Sequence, residues 1–184
     1  MKDQEMQHAA TRQQAARVYN SGLNLLARRE HSSQELKQKL GRRFPDALVD
    51  KASAALERNG LLSDERFAEA LIHSRKSKGY GPRHIAQELA QKGVSKELIK
   101  DCLDEKDTQW VRLAVEVAFK KVRTTSRLAQ AFSELEDEEG SAEEIREHQQ
   151  QKFLARQKLS AFLARRGFSS EIVRAALAEE FSLS

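Results

Sequence analysis

The chain has 184 residues, 39% of them hydrophobic and 33% charged, with only 2 prolines and 8 glycines; that length suits one domain or a few small modules, and the polarity favours several small cores over one large one. A formal net charge of +4 permits contact with nucleic acid or an acidic partner without demanding it. The single cysteine, Cys102, excludes an internal disulfide or a cysteine metal cluster, and with no apolar run fit for a signal peptide or a membrane span, a soluble cytoplasmic protein is expected.

Apolar residues fall at helical spacing from the start. Val18, Leu23, Leu25 and Leu26 open the pattern, followed by Leu36 and Leu40, then Leu48, Val49, Ala52 and Leu56. No window alternates as a strand would, so the chain reads as all-α. Helix starts carry chemical marks. Ser32 with Glu35 three residues on makes a capping box, and so does Ser141 with Glu144. Ser63 precedes Asp64 and Glu65, whose charges suit the positive end of a helix dipole. Pro45 and Pro82 stand where a first helical turn would begin.

The stretch Lys78-Gly79-Tyr80-Gly81-Pro82 ends a helix running from about Asp64 to Lys78 and starts another. A P-loop would need GxxxxGK[ST] after a strand, and neither is present. The composition favours a helix break. A backbone-amide site for a nucleic-acid phosphate at the new helix start is compatible with it.

Self-comparison gives an internal repeat. The segments ELKQKLGRRFPDALVDKA, IAQELAQKGVSKELIKDCL and LSAFLARRGFSSEIVRAAL align on Phe44, Val94 and Phe168. Leu36 and Leu40 then match Ile85 and Leu89, and Leu159 and Leu163. Ala52 matches Cys102 and Ala176, which predicts Cys102 on a buried helix face as a small hydrophobe. Gly93 and Gly167 end the preceding helices in left-handed geometry, while the first copy lacks that glycine and is one residue shorter. The anchors stand 50 and then 74 residues apart. The excess matches an acidic, poorly amphipathic insertion at about 123–147 that reads as a loop.

Each copy also has an upstream amphipathic helix: Val18 to Ala27, Phe67 to Ile72 and Val111 to Phe119. The expected architecture is therefore three tandem three-helix repeat units, elongated and curved, since each repeat contacts mainly its neighbours. The boundaries are a flexible N-terminus at 1–10, repeat 1 at 11–60, repeat 2 at 61–106, and repeat 3 at 107–184 with the insertion.

No catalytic constellation survives inspection. The histidines His8, His31, His73, His84 and His148 form neither a metal-like pair nor an HExxH pattern. The acidic cluster Glu134, Glu136, Asp137, Glu138 and Glu139 reads as a solvated loop, because like charges repel. Neither an enzyme nor a cofactor is expected.

The cations are grouped. Arg28, Arg29, Arg42 and Arg43 lie in repeat 1, with Lys37 and Lys39. Arg75, Lys76, Lys78, Arg83 and Lys92 surround the GYGP turn. Lys120, Lys121, Arg123 and Arg127 form a third group. Any one of them reads as an ordinary solvated side chain; their recurrence near turns makes a phosphate-facing stripe plausible. Tyr80 could stack on a base, though packing over the turn is the favoured reading. No recognition helix for base-specific readout is evident.

Residues 60–99, GLLSDERFAEALIHSRKSKGYGPRHIAQELAQKGVSKELI, closely resemble the central signature of RecX, the bacterial recombination regulator. REHSSQELKQKL and FLARRGFSSEIVRAAL resemble the flanking parts of that family in the same order, so the resemblance covers about residues 15–181. The acidic insertion looks longer than is usual there. The resemblance implies a regulator without catalysis. Such a protein binds RecA and its single-stranded DNA filament and inhibits ATPase, strand exchange and coprotease activities. A monomer is expected, as is contact with single- or double-stranded DNA. The family supplies no single residue role to carry over, so Arg28, Arg29, Arg42, Arg43, Arg75, Lys76, Lys78, Tyr80, Arg83 and Lys92 stand as candidates for filament or nucleic-acid contact on charge pattern and signature. A non-specific DNA-binding protein acting by competition for DNA is the alternative.

Overall fold

The computed structural model describes residues 2–132 and 141–180, and every described element is a helix, a turn or a bend. In chain order these are α1 (Lys2–Leu26), α2 (Ser33–Gly41), α3 (Asp46–Arg58), α4 (Asp64–Ser77), α5 (Pro82–Gln91), α6 (Lys96–Cys102), α7 (Gln109–Arg123), α8 (Ser126–Ala131), α9 (Ala142–Arg165) and α10 (Ser170–Glu180). Packing divides the chain into two compact units. The first holds Met1–His73 with Gln87–Cys102, and the second holds Ser74–Ala86 with Leu103–Ser184. Helix α1 is the longest described, 25 residues from Lys2 to Leu26.

In the first unit α1 and α2 both pack on α3. Their apolar stripes interlock as one core of Val18, Leu36, Leu40, Val49, Ala52, Leu56 and Leu62, with Phe44 and Leu48 packed against it. Many aligned positions of the repeat are buried: Leu36, Ile85, Leu89, Leu159 and Leu163 are fully enclosed, and Val94 and Phe168 nearly so, while the first anchor, Phe44, is half-buried. Each such Leu or Ile contributes roughly 1.5–3 kcal/mol relative to exposure.

Ser32 caps α2 by accepting from the Glu35 N–H at 3.0 Å. The reciprocal half of the expected box is not the arrangement found: the Glu35 carboxylate turns instead to Arg29, whose guanidinium grips it with contacts of 2.8 and 3.0 Å. A charged partner makes the stronger bond. At Ser141 the box is complete: Ser141 caps the Glu144 N–H, and the Glu144 carboxylate accepts from the Ser141 N–H at 2.7 Å.

In the second unit α10 packs on both α7 and α9. Helix α7 buries Trp110, Ala114, Ala118 and Val122. The amphipathic helix expected over Val111 to Phe119 lies inside α7, and Phe119 at its end is 40% exposed. Small alanines in the seam let the helices approach, a feature hydropathy alone ranks below Val and Phe. Part of the expected insertion loop is also regular: α8 buries Leu128 and Ala131, and the start of α9 lies within it. The acidic cluster Glu134, Glu136, Asp137, Glu138 and Glu139 lies outside the described residues.

Cys102 is half-buried at the end of α6, less enclosed than Ala52 and Ala176. Burial, with the nearby charges of Glu65, Glu69 and Asp101, pushes its thiol pKa up, which disfavours the nucleophilic thiolate.

Candidate functional site: a cation-lined cleft

The GYGP turn is built by the second unit's own backbone. Gly79 takes φ +74° to end α4, as Gly167 takes +87° after α9. The Gly81 N–H donates to the Arg166 carbonyl at 2.7 Å, and the Arg83 N–H donates to the Gly167 carbonyl at 3.1 Å. Pro82 has no N–H. Two donors at the start of α5 are thus satisfied by protein, which removes them from the phosphate site considered on sequence; the helix-break reading accounts for the glycines. Arg166 closes the arrangement from the other side. Its Nη1 donates to the carbonyls of Lys78 (2.6 Å) and Gly79 (3.2 Å). Tyr80 stacks on His84 with ring centroids 4.3 Å apart and lies under the Arg166 guanidinium. Packing over the turn is what occupies it.

Next to this turn lies a cleft of about 590 Å³ between the end of α4, α7 and α9. Lys76, Lys78, Lys120, Lys121 and Arg166 line it, with Glu116 as the one carboxylate among its lining residues. Leu113, Val117 and Phe162 supply apolar wall. Lys76 sits 4.4 Å over the ring of Trp110, and Lys121 sits 5.5 Å over that of Phe162. These contacts hold the ammonium groups in place without neutralising them. Five like charges around a concave wall focus a positive potential there.

The ten candidates separate. Of those in the second unit, Lys76 and Lys78 line the cleft, Tyr80 and Arg83 lie on the adjoining turn, and Arg75 is half-buried with its side chain already engaged. In the first unit Arg29 and Lys92 are tied to Glu35, Lys92 at 3.6 Å, beside Lys39 at the same distance. The Arg29 hydrogen bonds hold the Glu35 carboxyl down at about 2 against the opposing effect of burial. Arg28, Arg42 and Arg43 are exposed and make no ion pair among the described residues. Within the second unit, then, Lys76 and Lys78 line one cleft. Three lining cations escaped the candidate set: Lys120, Lys121 and Arg166. Arg166 had a signal, since the repeat places it opposite Lys92, each one residue before the glycine that ends its helix.

Among the described residues no group of His, Cys, Asp or Glu is arranged to hold a metal ion, and no helix is long and apolar enough to cross a membrane.

Comparison with known proteins matches three stretches of the chain to family descriptions: residues 19–53 to "RecX, first three-helix domain", 63–103 to "RecX, second three-helix domain" and 145–177 to "RecX, third three-helix domain". A curated relative named Regulatory protein RecX, from Halorhodospira halophila, is 38% identical over 162 residues, covering 88% of this chain and 86% of the relative. Another of the same name, from Pseudomonas entomophila, is 34% identical over 157 residues, covering 85% and 86%. The crystal structure of RecX from Lactobacillus salivarius superimposes with a TM-score of 0.69 at 20% identity, over 91% of this chain and 96% of that one. That likeness concerns the fold alone.

Proposed function

The chain belongs to the RecX family of regulatory proteins, and from that premise we propose that it binds RecA and its single-stranded DNA filament and inhibits the ATPase, recombinase and coprotease activities of RecA. The observation that carries the reading is the cleft of the second unit, where five cations face one carboxylate beside the GYGP turn of the signature. A filament on single-stranded DNA carries phosphates, and fixed ammonium groups suit phosphate oxygens. Lys76, Lys78 and Lys120 carry the contact. Arg166 positions the turn, because its side chain is held by the Lys78 and Gly79 carbonyls.

The same lining supports a second reading, a general DNA binder that competes with RecA for DNA. Lys78→Glu combined with Lys120→Glu separates them. Both residues are exposed, so helicity is expected to stay intact. On the first reading inhibition of RecA falls while residual DNA affinity does not track it; on the second the two fall together. Undiminished inhibition by the double variant removes the cleft from the site.

A further inference from the structure

Beyond the cleft beside the GYGP turn, the second unit has another concavity, about 410 Å³, between α8 and α9. Its floor and wall are aliphatic: Leu128, Ala131, Leu154 and Ala155, with Phe162 at one end. Its edge carries Lys121, Arg127, Lys158 and Arg165, and no carboxylate is among its lining residues. Arg127, Lys158 and Arg165 are exposed and make no ion pair among the described residues. Leu154 is 46% exposed, so its side chain is only partly absorbed by the protein's own core.

We propose that this cleft docks a short acidic peptide segment of a protein partner, one carrying large aliphatic side chains between its carboxylates. The cations complement the carboxylates and the floor takes the aliphatic groups. The volume lies near the lower end of the ~300–1,000 Å³ found for small-molecule sites, which is room for a few side chains and not for a folded element. Single-stranded nucleic acid fits less well. It is held by phosphate contacts together with stacking on aromatic faces. Phe162 is the only ring among the lining residues, and both Lys121 and Arg166 already sit against it, at 5.5 and 5.1 Å. The inference does not depend on the identity of the partner proposed above.

The test is fluorescence anisotropy on the full chain with a labelled synthetic peptide of glutamates and two leucines. The same peptide with serines for the leucines, and an oligothymidylate, serve as comparisons. Saturable binding of the leucine peptide is expected, with the serine peptide about tenfold weaker. Lys158→Glu and Leu154→Ser should each weaken the leucine peptide by about tenfold, the first also flattening its salt dependence. Both positions are exposed or half-exposed on α9, and circular dichroism checks that the helices remain. Equal binding of the serine peptide would overturn the proposal by leaving charge as the whole effect. Displacement of the peptide by oligothymidylate, with the same loss in Leu154→Ser, would make the cleft a nucleic-acid seat. Absence of saturable peptide binding would also overturn it.

Discussion

Gly81→Ala perturbs the point on which the candidate site hangs. A β-carbon at Gly81 would lie 2.5 Å from the Gly167 carbonyl carbon and the Phe168 nitrogen, and 2.6 Å from the Gly167 oxygen. All three are backbone atoms, so no rotamer change relieves the clash, and the α4–α5 turn must move off the α9–α10 turn. That motion stretches the Gly81 to Arg166 bond of 2.7 Å and the Arg83 to Gly167 bond of 3.1 Å. Two hydrogen bonds are worth about 1 kcal/mol each, and overpacking costs about 1–3 kcal/mol more. The sum is roughly 3–5 kcal/mol, or a melting shift on the order of 10 °C for a chain of this size. Trp110 is the one tryptophan of the chain and is buried in the same unit. Urea unfolding followed by its fluorescence therefore reads the effect where it occurs. Gly41→Ala is the control: its β-carbon would meet only Asp46 Oδ1, at 3.6 Å, and a helix former there is neutral or stabilising. A Gly81→Ala chain within about 1 kcal/mol of the parent would refute the pinned-turn argument.

Other outcomes follow from the same contacts. Glu35 has its carboxyl pKa lowered from 4.5 to about 2 by Arg29. It therefore adds stability above about pH 4.5 that disappears as pH falls toward 2; with Arg29 half-exposed to solvent, this amounts to about 2 kcal/mol, and Glu35→Gln should remove both the increment and that acid limb in urea titrations. His31 is buried, with its Nδ1 2.9 Å from the Arg29 carbonyl and its Nε2 2.9 Å from the Lys39 ammonium, which requires a neutral ring. Burial first, then the charges of Arg29 and Lys39, lowers its pKa, so its contribution is complete above about pH 6.5 and is lost as pH falls through the lower folded value. His31→Gln should flatten that step in a pH series of thermal melts. Cys102 should react with a thiol reagent more slowly at pH 7 than free cysteine does, and a rate equal to that of a free thiol would contradict its raised pKa.

The helices and their buried faces were legible because periodicity and burial are the same fact at Leu36, Leu40, Leu159 and Leu163. The glycine stops were legible too: Gly93 and Gly167 take positive φ as aligned. The α7 seam was not, because alanines mark a close approach only once the partner helix is known. The cleft was half legible. Lys76 and Lys78 lie beside the signature turn in sequence, whereas Arg166 reaches the Lys78 carbonyl from 88 positions away. Nor does charge pattern reveal that Arg29 and Lys92 are bound to Glu35, since an ion pair and a free cation read alike in a string.

The central claim is a filament-directed regulator, and its most direct measurement is RecA ATPase on single-stranded DNA, titrated with this protein at two salt concentrations. If Lys76, Lys78 and Lys120 acted only on phosphates, a single-strand slope near −0.7 per contact would cost about 20-fold in affinity between 50 and 200 mM salt. The account predicts inhibition at amounts well below one per RecA that survives the higher salt. Inhibition only when the DNA itself is saturated, vanishing at the higher salt, would contradict it.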